Sequence, residues 1–211
     1  MNVIASRFDS LPEEEKGEDW FPVHNKAMIS QVLPTLPPGA KVLEIGSWLG
    51  RSACYILEVN PNIELSCMDI WEDSNHPADL IKVEAEKKYR RFRSNLAKLG
   101  MLERINVIRD NSRNVMNYFQ EGTLDAIYVD GSHEEEDVYH DVHNAYKLLK
   151  VGGHMLGDDW NWVSVSKGLM RAIWEINAER EAMLPLRTLF AAWHTCKLAN
   201  NEEDPKILSY L

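Results

Sequence analysis

A chain of 211 residues with a formal charge of −10 and 45% apolar residues has the length and composition of one well-buried globular domain. Its acidity argues against nucleic acid as the main partner, because neutralising phosphates takes a basic face, and no run of eighteen apolar residues offers a membrane span. Cys54, Cys67 and Cys196 lack any CxxC spacing, and the first residues lack a charged-then-apolar leader, so the expectation is a cytoplasmic protein with reduced core thiols.

Residues 1–19 contain LPEEEKGED, a polar, acidic, proline-punctuated stretch expected to be a flexible lead-in, and residues 20–211 are expected to form a single domain. Trp20 to Leu33 reads as a helix, a candidate lid or homodimer seam, and is followed by the breaker PTLPPG. In VLEIGSWLGRS, residues 42–52, Val42, Leu43 and Ile45 read as a strand covered on both faces. Gly46 and Gly50 bracket a tight turn, and Ser52 opens the apolar helical run Ala53, Tyr55, Ile56, Leu57. From there strands near 41–45, 63–68, 104–109, 124–129 and 153–157 alternate with helices near 51–59, 77–99, 112–119, 134–149 and 164–181. That alternation is the pattern of a parallel sheet with helices on both faces and right-handed crossovers. The tail departs from it: LRTLFAAW and HTCKLA read as two strands with no room for a helix between them, so a closing antiparallel strand is expected.

The long helix near 77–99 carries Lys87, Lys88, Arg90, Arg91 and Arg93 around a stripe of Ile81, Ala85, Tyr89, Phe92 and Leu96. A solvated face balanced by Glu84 and Glu86 explains the basic residues; a patch for an anionic substrate is the alternative.

The turn at residues 46–50 carries the chemistry. At the carboxyl end of a strand in an open α/β sheet such turns bind ligands, with glycine permitting close approach and the following helix offering unpaired N–H groups. A dinucleotide site needs GxGxxG, yet Trp48 stands where a pyrophosphate would touch backbone, which disfavours phosphate. Glu44, just ahead of the turn, points to a ligand with an ammonium group. Asp69, at the end of the second strand with Ile70 beside it, is spaced to accept both hydroxyls of a ribose.

Taken in order, LEIGSWLGRS, CMDIW, VIRDNS, DAIYVDGSH and LLKVGGHMLGDDW resemble the motifs of class I S-adenosylmethionine-dependent methyltransferases. They look most like the small-molecule O-methyltransferases of the macrocin and aminocoumarin sugar type, over roughly Trp20 to Leu198. The resemblance implies an α/β, Rossmann-like fold: a seven-stranded, mostly parallel sheet with one antiparallel strand and helices on both faces. It implies S-adenosylmethionine as cofactor, its methionine end cradled by Glu44, Gly46, Ser47, Gly50 and Ser52 and its ribose held by Asp69 and Ile70. In RDNSRNV the family's usual adenine-reading Asp is replaced by Asn111, with Asp110 before it. Either residue reads the adenine, beside Ser112 as a helix N-cap.

The fourth motif ends a strand at Asp130, counted among both the cofactor-binding and the catalytic residues. His133, near the same sheet edge, is either the general base for an acceptor or a cleft-lining contact. Asp158 and Asp159 end the fifth strand, and facing Asp130 they would gather three carboxylates. Such clustering is costly unless neutralised, and a divalent cation such as Mg2+ would relieve it, as the family resemblance also implies. The other reading makes Asp159 a helix cap and Asp158 a substrate contact. Trp71 is a candidate cover for the adenine, and Trp20, Phe21, His24, Trp160 and Trp162 are candidates for the substrate wall. The expected activity is O-methylation of a small-molecule hydroxyl, sugar or catechol-like, with no nucleic-acid or membrane partner. A non-catalytic S-adenosylmethionine-binding regulator is the alternative.

Overall fold

The structure, a computed structural model, describes residues 3–72, 78–181 and 183–199, without the side chains of 78–82. The outer ends of the segments expected over 1–19 and 20–211, the helix start expected at residue 77, and the Ile81 side chain lie outside the described residues. Seven strands form one sheet in the order β3-β2-β1-β4-β5-β7-β6: β1 Lys41–Ile45, β2 Glu64–Asp69, β3 Ile105–Arg109, β4 Leu124–Val129, β5 Leu149–Gly157, β6 Arg187–Leu189 and β7 Ala192–Cys196. The pairs among β1 to β5 are parallel, and β7 lies antiparallel to both β5 and β6, so β7 alone is reversed. The helices are α1 Glu13–Lys16, α2 Val23–Val32, α3 Arg51–Val59, α4 Ala78–Lys98, α5 Glu135–Leu148 and α6 Val163–Arg180. Strand order turns back between β1 and β4, the switch point where such sheets open a crevice at their carboxyl edge.

The pleat sorts β1 between two cores. Val42 joins α2, α3 and α4 residues such as Met28, Ile56 and Phe92 on one face, while Leu43 and Ile45 join Val142 of α5 and Leu169 of α6 on the other. Glu44 shares the parity of Val42, so it is turned into an apolar layer. In register it lies between Cys67 of β2 and Tyr128 of β4.

Four local departures from expectation have physical causes. The helix expected from Trp20 starts at Val23, because Pro22 disfavours helical backbone at Phe21 and itself serves as N-cap. α5 stops at Leu148, and Leu149 already pairs with Leu124, so β5 begins earlier than residue 153. The helix expected over 112–119 is a 3-10 turn, Ser112–Asn117. The acidic lead-in, expected to be flexible, is packed along its described part: Phe8 and Leu11 enter the core, and Arg91 of α4 donates to the Glu14 and Glu15 carbonyls. Asn95 donates to Glu15 as well, and Lys98 pairs with the Glu15 carboxylate. Much of α4's basic face is thus answered within the chain, with Arg90 on Glu86 and Lys87 on Glu84. Among the described residues no helix is long and apolar enough to cross a membrane.

Candidate active site

The carboxyl ends of β1, β2, β4 and β5 are laced together by backbone: Gly46 N–H donates to Met68, Asp130 N–H to Ile45, and Asp158 N–H to Val129. Gly46, at φ 87°, lets the β1 turn run against β4; a Cβ there would lie 1.9 Å from the Asp130 carbonyl oxygen. Gly50 is left-handed at φ 93° and is the N-cap of α3, with Ser52 buried in the first turn behind it. These contacts bring Glu44, Gly46, Ser47, Gly50 and Ser52 to one side of the crevice.

Glu44 is fully buried and neither carboxylate oxygen has a hydrogen-bond partner. Burial pushes its pKa up to about 7, against the pull of the nearby Ser47 and Ser52 hydroxyls and the Cys67 thiol. An unanswered carboxyl beside a glycine turn has the chemistry to take a ligand's ammonium group, and in that respect these residues fit the methionine end of the donor. Asp69 differs. Its Oδ2 accepts from Trp48 N–H at 2.8 Å and its Oδ1 from Trp71 N–H at 2.5 Å, which pins the β1 and β2 turns to each other. A carboxylate oxygen has more than one lone pair, so Asp69 still has capacity for ribose hydroxyls, and exposed Ile70 borders it.

Trp71, the candidate adenine cover, is instead a core residue: it is buried against Tyr89 and Phe92, and its indole N–H donates to the Trp48 carbonyl at 2.7 Å. Trp20 stacks on Trp48, centroids 5.8 Å apart, under the Lys88 ammonium. In the third turn the N-cap is Asn111, not Ser112: its side chain accepts from Arg113 N–H at 2.9 Å. Asp110 is held by Asn114 and Tyr118 and the Asn111 N–H, which keep its carboxyl below the usual range.

On the β4–β5 side the three aspartates do converge, but they divide their roles. Asp130, His133 and Asp159 each offer a ligand atom within 4.8 Å of the others. His133 Nε2 lies 2.9 Å from Asp159 Oδ2, and that contact raises the imidazole pKa above its ordinary value. Asp130 is driven well above the carboxylate range by burial and then by Asp158 and Asp159, while the Tyr128 hydroxyl, 3.2 Å away, pulls the other way. Asp158 stands outside that trio and is buried under α2, where the Asn25 amide donates to its Oδ2. His24 Nε2 is 3.6 Å from its Oδ1, too long for a hydrogen bond. Burial is the largest cause of Asp158's raised pKa, opposed by Asn25. The cavity among Asp130, His133, Asp158 and Asp159 is only about 10 Å³, room for a water or an ion and not for an acceptor. Trp162 lies over His133, ring centroids 4.8 Å apart. Asp159 does not cap α6, whose N-cap is Trp162.

Two polar residues were not picked out by the sequence reading. Asn25 is wholly buried, and Asp141 of α5 is buried beneath Gly131 with a pKa pushed up to about 7 by burial, against the Ser112 hydroxyl. One signal marks both. Asn25 shares the buried stripe of Met28, Ile29 and Val32, and Asp141 that of Val138, Val142, Ala145 and Leu148, so each is a polar group on an apolar face.

A family model described as a methyltransferase domain matches residues 43–160, more than half of the chain, a span that holds Glu44, Gly46, Asp69, Asp130, His133, Asp158 and Asp159. The chain belongs to the methyltransferase domain family. Solved methyltransferases share the fold. A suggested rRNA methylase from Clostridium thermocellum is 12% identical, with 83% of this chain and 96% of that one covered and a TM-score of 0.64. The O-methyltransferase NovP is 16% identical, with 84% and 81% covered and a TM-score of 0.61. An S-adenosylmethionine-dependent O-methyltransferase from Thermotoga maritima is 14% identical, with 84% and 66% covered and a TM-score of 0.58. No curated protein matches the chain significantly in sequence. The methyltransferase is thus assigned its class and its donor, S-adenosylmethionine, by family. At these identities the neighbours carry the fold and not the acceptor.

Proposed function

We propose that this methyltransferase transfers the S-adenosylmethionine methyl group to a hydroxyl oxygen of a small molecule. The bound donor supplies an electrophilic methyl on a sulfonium, so the chain's part is to orient the acceptor and take its proton. The observation that carries the reading is the His133–Asp159 pair at the β4–β5 edge. A proton held between Nε2 and Oδ2 leaves Nδ1 free to accept, and Asp159 fixes the tautomer and offsets the charge that forms. Glu44 and Gly46 bind and place the methionine end across the β1 turn, and Asp69 the ribose. Positioning of this kind is worth on the order of 7 to 11 kcal/mol at best. The formal charge of −10 supports a small acceptor over nucleic acid. A labelled-methyl assay over sugar and catechol-like diols tests it; donor uptake without transfer to any hydroxyl would favour a non-catalytic binder.

A second reading concerns a divalent ion such as Mg2+. Asp130, His133 and Asp159, with ligand atoms within 4.8 Å, would hold it, whereas the set expected from sequence had Asp158 in place of His133. One nitrogen and two oxygens suit manganese or zinc as well as magnesium, and the ion would lower the pKa of an acceptor hydroxyl. An imidazole nitrogen that binds an ion accepts no proton. Turnover lost on chelation and restored by one divalent ion favours this reading; turnover indifferent to chelator favours His133 as base.

A further inference from the structure

We propose that the acceptor carries a flat, uncharged aromatic ring bearing the hydroxyl, gripped between Phe190 and Trp162; this rests on the O-methyl transfer proposed above. The cavity among the aspartates holds no more than a water or an ion, so an acceptor has to sit on its rim. Two exposed rings flank the residues that line it, Trp162 through His133 and Phe190 through His24, which lies 3.6 Å from Asp158 Oδ1. Trp162 is 51% exposed over His133, and Phe190, at the tip of the β6–β7 hairpin, is 82% exposed with its ring 6.2 Å from that of His24. The two stand on backbone that is tied together: Trp160 N–H donates to the Ala191 carbonyl at 2.7 Å, and Trp162 N–H to the Asp159 carbonyl at 2.8 Å.

Backbone conformation gives an independent argument. Asp159 and Phe190 are left-handed, at φ 59° and φ 54°, where L side chains other than Asn and Asp rarely sit. A Phe in that conformation costs free energy that Gly would not, and at 82% exposure it regains little of it by burial. Folding alone therefore does not explain a phenyl ring at position 190; a ligand that covers it does. Stacking against aromatic faces selects a planar ring, and the carboxylates of Asp130, Asp158 and Asp159 disfavour an acceptor carrying phosphate or carboxylate.

Calorimetric titration of 2,3-dihydroxynaphthalene, of methyl rhamnoside as a non-aromatic diol, and of S-adenosylhomocysteine tests the assignment on wild type, Phe190→Gly and Trp162→Ala. The expected result is uptake of the naphthalene diol in preference to the rhamnoside, weakened at least ten-fold in each variant, with S-adenosylhomocysteine bound as in wild type. Phe190→Gly should melt no lower than wild type, since it relieves a left-handed residue. Equal or tighter uptake of rhamnoside, naphthalene-diol affinity unmoved by either variant, or a lower melting temperature for Phe190→Gly overturns the clamp. Wild type that binds S-adenosylhomocysteine but no aromatic diol overturns the clamp alone. Wild type that binds the diol but not S-adenosylhomocysteine overturns the proposed function and, with it, the diol's role as methyl acceptor.

Discussion

The two halves of the crevice are built on opposite plans. On the β1–β2 side the turns close on themselves: Asp69 is fixed by the Trp48 and Trp71 amides with lone pairs to spare, Gly46 lets backbone touch backbone, and the buried Glu44 carboxyl between them has no hydrogen-bond partner. On the β4–β5 side Asp130, Asp158 and Asp159 crowd one another. They are moderated by side chains from α2, from the turn before α5 and from Tyr128, and are rimmed by exposed rings. The first half is a mould whose shape is fixed by backbone contacts between neighbouring turns. The second is an electrostatic balance in which Asp158 and Asp159 depend on Asn25 and His133, far away in the chain, and Asp130 on Tyr128, two residues before it.

That contrast predicts different failures. The mould should break catastrophically: Gly46→Ala puts a methyl 1.9 Å from the Asp130 carbonyl, and the two turns cannot both stay in place. Thermal and urea unfolding should show a loss of more than about 3 kcal/mol, with S-adenosylhomocysteine no longer bound. A variant that keeps both stability and binding would sink the account of the cradle.

The balance should fail chemically while the fold survives. Asp159→Asn removes the partner that orients His133 and should lower turnover by about 100- to 10,000-fold, with S-adenosylhomocysteine affinity unchanged on calorimetry. A parallel loss of cofactor affinity would mean that the halves are not separable.

Glu44 allows the comparison to be sharpened through pH. Its folded pKa is about 7 against an ordinary 4.5, so the unfolded chain has already lost a proton that the folded chain keeps. Stability from this group is therefore full below about pH 4.5 and falls as pH rises through 7, by on the order of 3 kcal/mol at most. An ammonium ligand prefers the carboxylate, so donor affinity should run the other way and rise between about pH 6 and pH 8. Glu44→Gln should raise stability at the alkaline end, weaken donor binding and flatten its pH dependence. Asp141, also raised to about 7, adds to the stability slope, so the variant and not the slope alone isolates Glu44.

Legibility in the sequence follows the same division. VLEIGSWLGRS and CMDIW place strand, turn, acid and helix within a few residues of one another, and the structure keeps β1, the Gly46 turn and Asp69 together. The parallel sheet and its closing antiparallel strand are legible too, because strands alternate with helices or, after β3, a 3-10 turn, up to α6 and then two short strands follow; the strand order is not, since nothing in that alternation says which strands pair. What local pattern cannot encode is which distant group answers a buried charge. Asp158 reads as a partner of Asp159, its neighbour, yet its hydrogen-bond partner is Asn25, 133 positions away. Trp71 reads as a ligand cover because it follows the ribose acid, but its backbone, at φ 56°, turns the indole into the core.

Asn25 also sets the scale of a structural effect within the second half. Asn25→Ala leaves Asp158 Oδ2 buried without its amide donor and should destabilise the protein by about 1 to 3 kcal/mol. The loss should shrink on acidification, since protonating Asp158 removes the charge that the amide answers. A loss independent of pH would assign the effect to packing instead.

The smallest effect is expected where a link between turns is made at the surface. Arg113, in the turn after β3, reaches Asp137 of α5 with Nε and Nη2 at 3.0 Å and 2.7 Å from one carboxylate oxygen, and both side chains are partly exposed. Solvent screening and the entropy of holding two long side chains leave such a pair about 0.2 to 1 kcal/mol. Arg113→Met should cost no more than that in urea unfolding, and added salt should shrink the wild-type advantage further. Donor affinity should not move, because the turns at Glu44, Gly46 and Asp69 are fastened by backbone contacts that Arg113 does not touch. A marked loss of affinity would show that the third turn, and not the glycine mould alone, governs how the cofactor is held.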